Sequence, residues 1–107
     1  MSRMTVASLK ALTELAEEGD EKVINFALAH LGDTGPYVRQ VALETLAQIA
    51  MRGHEEVVYE FCKTLTDSVG MVRAAALQAL SQIGHKGDRE AIDAIITCLA
   101  DKDKRVK

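Results

Sequence analysis

The chain repeats itself every thirty-four residues. VRQVALETLAQIA at 38–50 returns as VRAAALQALSQIG at 72–84, and Val106 and Lys107 stand at the same interval again. Counting back from Leu43, Leu46 and Ile49 lands on Leu9, Leu12 and Leu15. Gly19, Gly53 and Gly87 keep that spacing, as do Asp33, Asp67 and Asp101, and the apolar column Ala27, Phe61, Ile95. A fixed period of this length is the signature of one supersecondary unit that cannot bury its apolar face alone and does so against copies of itself. The register predicts a single repeat domain over 1–107, with repeats at about 4–37, 38–71 and 72–105.

Spacing within the period selects helix over strand. Val38, Val41, Ala42, Thr45, Leu46, Ile49 and Ala50 share one face of a helix. Leu43 lies off that stripe, as do its equivalents Leu9 and Leu77, so this inner helix is expected to touch neighbours on two sides. A second, outer helix per period carries Val23, Ile24, Ala27, Leu28 and Leu31, then Val57, Val58, Phe61, Cys62 and Leu65, then Ile92, Ile95, Ile96 and Leu99. Phe26 flanks the first of these stripes and is expected to supply bulk that Ala27 lacks. The three matched glycines follow the Val-Arg helices, where a positive φ is needed to turn the chain. Asp20, His54 and Asp88 come next as N-caps, while Thr34 and Ser68 are expected to cap the other connection, beside the only proline, Pro36. The expectation is an all-α chain of six helices near 4–18, 21–32, 36–51, 55–66, 70–84 and 89–100.

Composition narrows the function classes. Hydrophobic residues make up 48% of 107 residues but aromatics only 4%, with no Trp, so burial falls to Leu, Ile, Val and Ala. No apolar run approaches the roughly 18 residues of a membrane span, and the start lacks a secretory signal. Two cysteines are too few for a disulfide scaffold. These features predict a soluble, cytoplasmic chain. A net charge of −3 gives no footprint for nucleic acid or an anionic membrane, and the basic tail Lys102, Lys104, Arg105, Lys107 reads as solvated residues.

An outer apolar helix, a turn opening on Asp, then Val-Arg, A-L-x-x-L-x-x-I and a closing Gly resembles the HEAT repeat, in particular the short HEAT-like variety related to bilin lyases. The pattern recurs through D-T-G-P-Y-V-R, D-S-V-G-M-V-R and D-K-D-K-R-V-K. The tetratricopeptide repeat, the rival at this period, needs a Trp, a Leu-Gly pair and a late Pro that the chain lacks. The resemblance implies an α-α superhelix, a HEAT-like solenoid of about three helical pairs. It also implies a structural ladder of Asp33, Asp67, Arg39 and Arg73 between neighbouring turns, from which Lys107 departs because an ammonium cannot make a planar two-pronged contact.

Residues that could carry chemistry are sparse. His54-Glu55 is similar to the His-Glu pairs that bind iron in deoxyhypusine hydroxylase, but His30-Leu31 and His85-Lys86 break the carry-over, so His54 reads as a helix-start residue and no metal is expected. Cys62 reads as a small core hydrophobe and Cys98 as a partly exposed thiol without activating neighbours. The outer helices with their caps hold 11 of the 16 acidic residues, mostly in first turns where the helix dipole favours them. No cofactor is expected, and no enzyme.

What remains is the surface of the Val-Arg helices. Tyr37, Gln40, Glu44, Gln48 and Met51 point away from the buried stripe, and Met71, Gln78, Gln82 and His85 continue that strip, with Ala74 beside them. Gln, Met and Tyr make an adaptable, nearly uncharged surface suited to a peptide or helix. The function expected is a noncatalytic protein-binding or scaffold module. The alternatives are a bilin-lyase-like tetrapyrrole chaperone and an architectural spacer. The ends lack polar capping faces: Ile95, Ile96 or Leu99 is expected to be uncovered at one and Leu9 and Leu12 at the other. That predicts a piece of a longer array, or a chain that covers its ends by self-association.

Overall fold

The computed structural model describes residues 2–106, with side chains described from Arg3 to Cys98. Among the described residues the chain forms six α-helices: α1 (Ser2–Leu15), α2 (Glu21–Ala29), α3 (Pro36–Ile49), α4 (Glu55–Thr64), α5 (Gly70–Ile83) and α6 (Arg89–Val106). Leu99, the basic tail and Lys107 therefore lie outside the described side chains. The inner helices α1, α3 and α5 lie side by side, and α2 packs on α3, α4 on α5 and on α6. Each outer helix is thus seated on the inner helix that follows it. At the two ends, α1 lacks an outer helix before it and α6 an inner helix after it.

The core is built from the columns of the repeat. Val38, Ala42, Leu46 and Ile49 of α3 are buried, as are Val72, Ala76, Leu80 and Ile83 of α5. Leu43 is buried from the other side, which makes α3 a helix sandwiched between two neighbours. The one buried polar side chain, Thr45, shares a 2.8 Å hydrogen bond with Thr13 Oγ1.

Outer helices begin as the sequence predicts. The Asp20 carboxylate accepts from the N–H groups of Lys22 and Val23, the His54 ring accepts from Val57 N–H through Nδ1, and Asp88 accepts from Ala91 N–H. Each preceding glycine has positive φ, 85° at Gly19 and 81° at Gly53 and Gly87. The turn also reaches across pairs. Gly19 N–H donates to Ile49 O and Gly53 N–H to Ile83 O, so a turn of one pair satisfies a C-terminal carbonyl of the next inner helix.

Several expectations are corrected. The inner helices stop two or three turn residues earlier than predicted, and α2 and α4 close in tight bonds such as Leu31 N–H to Leu28 O and Leu65 N–H to Cys62 O. Thr34 and Ser68 do not cap the inner helices. Gly35 and Val69 hold the N-cap positions without a side-chain bond, and the turns are ordered one residue earlier, where Asp33 Oδ1 accepts Gly35 N–H and Asp67 Oδ1 accepts Val69 N–H. The stretch 101–106 does not form a third such turn; α6 runs through it, since it has neither the Gly nor the Pro that breaks the chain at 35–36 and 70. Phe26 lies at the surface edge-on to His30 with ring centres 4.8 Å apart, because Ile24 and Ala27 already fill the face toward α3. Leu9, expected to be uncovered, is fully buried, while Leu77 in the same column of α5 is 42% exposed.

Candidate functional site

The inner face carries three adjoining depressions. The one between α3 and α5 has a volume of about 450 Å³ and is lined by Gln40, Glu44, Gln48, Met71, Gln78 and Gln82 over a floor of Ala47, Ala74, Ala75 and Ala79. Its floor is alanine because two inner helices approach closely there, and its walls are the long side chains one turn apart on each helix. Gln40 Nε2 donates to Glu44 Oε2 at 3.1 Å, which fixes the amide's orientation. Gln40 Oε1 is then buried without a hydrogen-bond partner among the described residues. A buried acceptor left unpaired costs about 1–3 kcal/mol, so a donor arriving in the groove would be favoured there.

Between α1 and α3 a second depression of about 220 Å³ shares Glu44 and Gln48 with the first and adds Lys10, Thr13 and Glu14. A third, of about 490 Å³, is largely apolar and lies where the inner helices begin, lined by Arg3, Val6, Ala7, Pro36, Tyr37 and Met71 among others. Lys10 reaches over Tyr37 here, its Nζ donating to the phenol oxygen at 3.2 Å and standing 5.6 Å from the ring centre. Met71 lines both the groove and this hollow and joins them.

Of the nine strip residues, Gln40, Glu44, Gln48, Met71, Gln78 and Gln82 meet in one groove, and Tyr37 lies beside it. Met51 and His85 stand apart. Each covers a glycine of the preceding turn: Met51 would be 3.5 Å from a Cβ at Gly19, and the His85 ring occupies the space a Cβ at Gly53 would need. Arg3, Lys10 and Glu14 were missed by the sequence reading, yet the thirty-four-residue columns contain them. Arg3 precedes Tyr37 and Met71, Lys10 precedes Glu44 and Gln78, and Glu14 precedes Gln48 and Gln82. The face is accordingly charged along α1 and nearly neutral along α5.

The turns linking outer to inner helices hold Asp33, Arg39, Asp67 and Arg73. Arg39 makes a two-pronged contact with Asp67, Nε to Oδ2 at 2.8 Å and a terminal nitrogen to Oδ1 at 3.0 Å, while its other terminal nitrogen donates to Asp33 O. Arg73 donates to Asp67 O at 2.8 Å. Burial alone would raise the Asp67 pKa, but the hydrogen bonds from Arg39 and Val69 N–H and the charges of Arg39 and Arg73 outweigh it and hold the carboxyl below its usual range.

Elsewhere the chemistry is quiet. Burial, then the Glu90 and Asp88 carboxylates, push the Cys62 thiol up, away from the thiolate form a nucleophile needs. The Cys98 thiol donates to Leu65 O. His54 is occupied as a cap and lies 3.8 Å from Glu21. No group of three or more His, Cys, Asp or Glu that could hold a metal ion, and no helix long and apolar enough to cross a membrane, occurs among the described residues.

No curated protein and no solved structure matches the chain. A family model described as HEAT repeats matches it twice, over residues 5–81 and 24–107, without reaching the bilin-lyase variety. Those two spans cover nearly every residue of an all-helical array whose inner and outer helices alternate at a constant period, and the chain belongs to the HEAT repeat family.

Proposed function

We propose that the chain is a noncatalytic protein-binding module whose ligand, a peptide or helix, lies along the inner face in the groove between α3 and α5. HEAT repeats are commonly protein-interaction modules. The observation that carries the reading is the groove itself: an alanine floor that admits a backbone or small side chains, glutamine walls that can donate or accept, and the unpaired Gln40 Oε1 as an acceptor for an arriving N–H. Met71 gives an adaptable contact at the groove's open end. No aromatic or histidine is among its lining residues, so a flat tetrapyrrole finds no stacking partner there.

Selection of peptides from a displayed library on the wild-type chain, followed by titration against a Gln48→Lys, Gln82→Lys variant, tests this reading. The expected result is binding at least tenfold weaker in the variant, about 1.4 kcal/mol. A control substitution on the outer surface, Tyr59→Lys, is expected to leave binding unchanged. Equal binding by wild type and groove variant would remove the groove from the reading and leave an architectural spacer as the better one.

A further inference from the structure

The two ends of the array expose what its middle buries. On α1, Met4, Ser8, Leu12 and Leu15 occupy the columns of the buried Val38, Ala42, Leu46 and Ile49 of α3, the stripe that α2 covers. Nothing plays the part of α2 for α1, and Met4 is 68% and Leu15 81% exposed. At the other end, Ile96 is 59% exposed and Leu77 is 42% exposed. Leu9 and Leu43, in the column of Leu77, are buried beneath the next inner helix. Ala91, Ile92, Ile95 and Leu77 line a hollow of about 300 Å³ open on this side. One end thus offers an inner helix without its outer partner, and the other an outer helix without its inner partner.

We propose that these ends dock on each other between copies, head to tail, with α1 of a second copy seated on α6 as α3 is seated on α2 and α5 on α4. The bonds between pairs inside the chain say what such a contact would make. Gly19 and Gly53 donate to Ile49 O and Ile83 O, so Gly87 N–H would meet Leu15 O of the second copy, in the same column. Met51 and His85 cover Gly19 and Gly53; a Cβ at Gly87 would have nothing within 4 Å, and the residue of that column in the second copy is Glu17.

Charge agrees with this register. Arg52 donates to Gly84 O across the interface between the second and third pairs. Lys86, in the column of Arg52, would reach Ala16 O of the second copy, next to Glu17 and Glu18. His54 stands by Glu21 within the chain, and one contact further on the same columns bring Arg89 opposite Asp20 of the second copy. The α6 end therefore presents Lys86 and Arg89, and the α1 end Glu17, Glu18 and Asp20. A contact using different surfaces on its two sides does not close on itself at two copies, so growth beyond a dimer is the expected mode.

The test is molar mass by light scattering across a wide concentration range, on the wild type and on two single variants, Leu15→Glu and Leu77→Glu. Both positions are exposed, and melting curves verify that each variant folds. The wild-type mass is expected to rise with concentration past twice the 11.6 kDa of one chain. Each variant alone is expected to stay monomeric, while an equimolar mixture forms a species of two chains and no larger, since each supplies the end the other lacks. High salt is expected to lower the wild-type mass by weakening the Lys86 and Arg89 contacts. A wild type that remains at 11.6 kDa up to about millimolar concentration, well above the micromolar range where a contact worth about 8 kcal/mol forms, overturns the proposal. So does a variant that still grows, or a mixture that stays monomeric while the wild type associates.

Discussion

Leu43 and Leu77 hold the same place in consecutive inner helices, yet Leu43 is fully buried and Leu77 is 42% exposed. The same contrast runs through the molecule. Ile49 and Ile83 are buried where Leu15 is exposed, and Val38 and Val72 are buried where Met4 is exposed. The residue types hardly differ. What differs is whether a neighbouring helix stands on the far side, so in this array burial belongs to a position's neighbours rather than to its side chain. A solenoid's stability is roughly a sum of pair and interface contributions, and the middle pair takes part in two interfaces where an end pair takes part in one.

That contrast sets the largest expected effect. Leu43→Ala removes a side chain packed on all sides and leaves a cavity, at a cost of about 2–5 kcal/mol. Leu77→Ala removes a half-solvated one and is expected to cost under about 1 kcal/mol, with the small gain of alanine's helix preference set against it. Urea denaturation of the two variants at a dilution where the chain is monomeric gives both numbers. Equal losses would break the comparison and mean that the α6 end is covered in solution.

The turns differ in the same way. Asp67, between the second and third pairs, is held by Arg39 from one side and Arg73 from the other, whereas Asp33 stands one pair earlier, in register with Thr5 rather than an arginine. Arg39→Ala leaves the mostly buried Asp67 carboxylate without its two-pronged partner and is expected to cost about 2 kcal/mol, below the value for a fully buried pair because some solvent reaches it. The pH dependence has a definite sign. Because the folded pKa of Asp67 is depressed, its contribution is fully present above the unfolded value of about 4 and is lost as pH falls through the folded pKa. The stability gap between wild type and Asp67→Asn is therefore expected to be constant from neutral pH down to about pH 5 and to shrink below about pH 4. A gap that widens in acid would show that the carboxyl is not held in its charged form.

Much of this architecture is legible in the sequence because a repeat states each structural requirement several times. Six helices, the caps at Asp20, His54 and Asp88, and the inner and outer layers follow from the columns alone. The inner-face groove was partly legible: six of its lining residues follow from helical spacing, but Arg3, Lys10 and Glu14 did not enter because α1 carries different residue types in those columns. Legibility fails where an outcome depends on what lies across an interface. Burial of Leu9 and exposure of Leu77 cannot be told from their own helices. The Asx turns at Asp33 and Asp67 displaced hydroxyl caps at Thr34 and Ser68 because a carboxylate already facing an arginine also meets the turn's N–H. The last such turn failed for want of a breaker, since 101–106 offers α6 only residues that continue a helix.

The smallest difference expected between middle and end lies at two glycines with the same backbone. Gly53 and Gly87 both have φ of 81°, so alanine at either pays about 1 kcal/mol for a left-handed conformation. At Gly87 the cost ends there, because a Cβ would meet nothing within 4 Å. At Gly53 the new methyl would displace the His85 ring that lies over the turn. Losing that contact is worth up to about 1 kcal/mol, since the ring is at the surface and can swing aside. Gly53→Ala is therefore expected to be the more destabilising of the two by that margin. Adding His85→Ala sharpens the test: in that background the two glycine substitutions should cost the same. If Gly53→Ala remains more costly without the imidazole, the difference belongs to the turn itself and its bond to Ile83 O, and the neighbouring pair's side chain has no part in it.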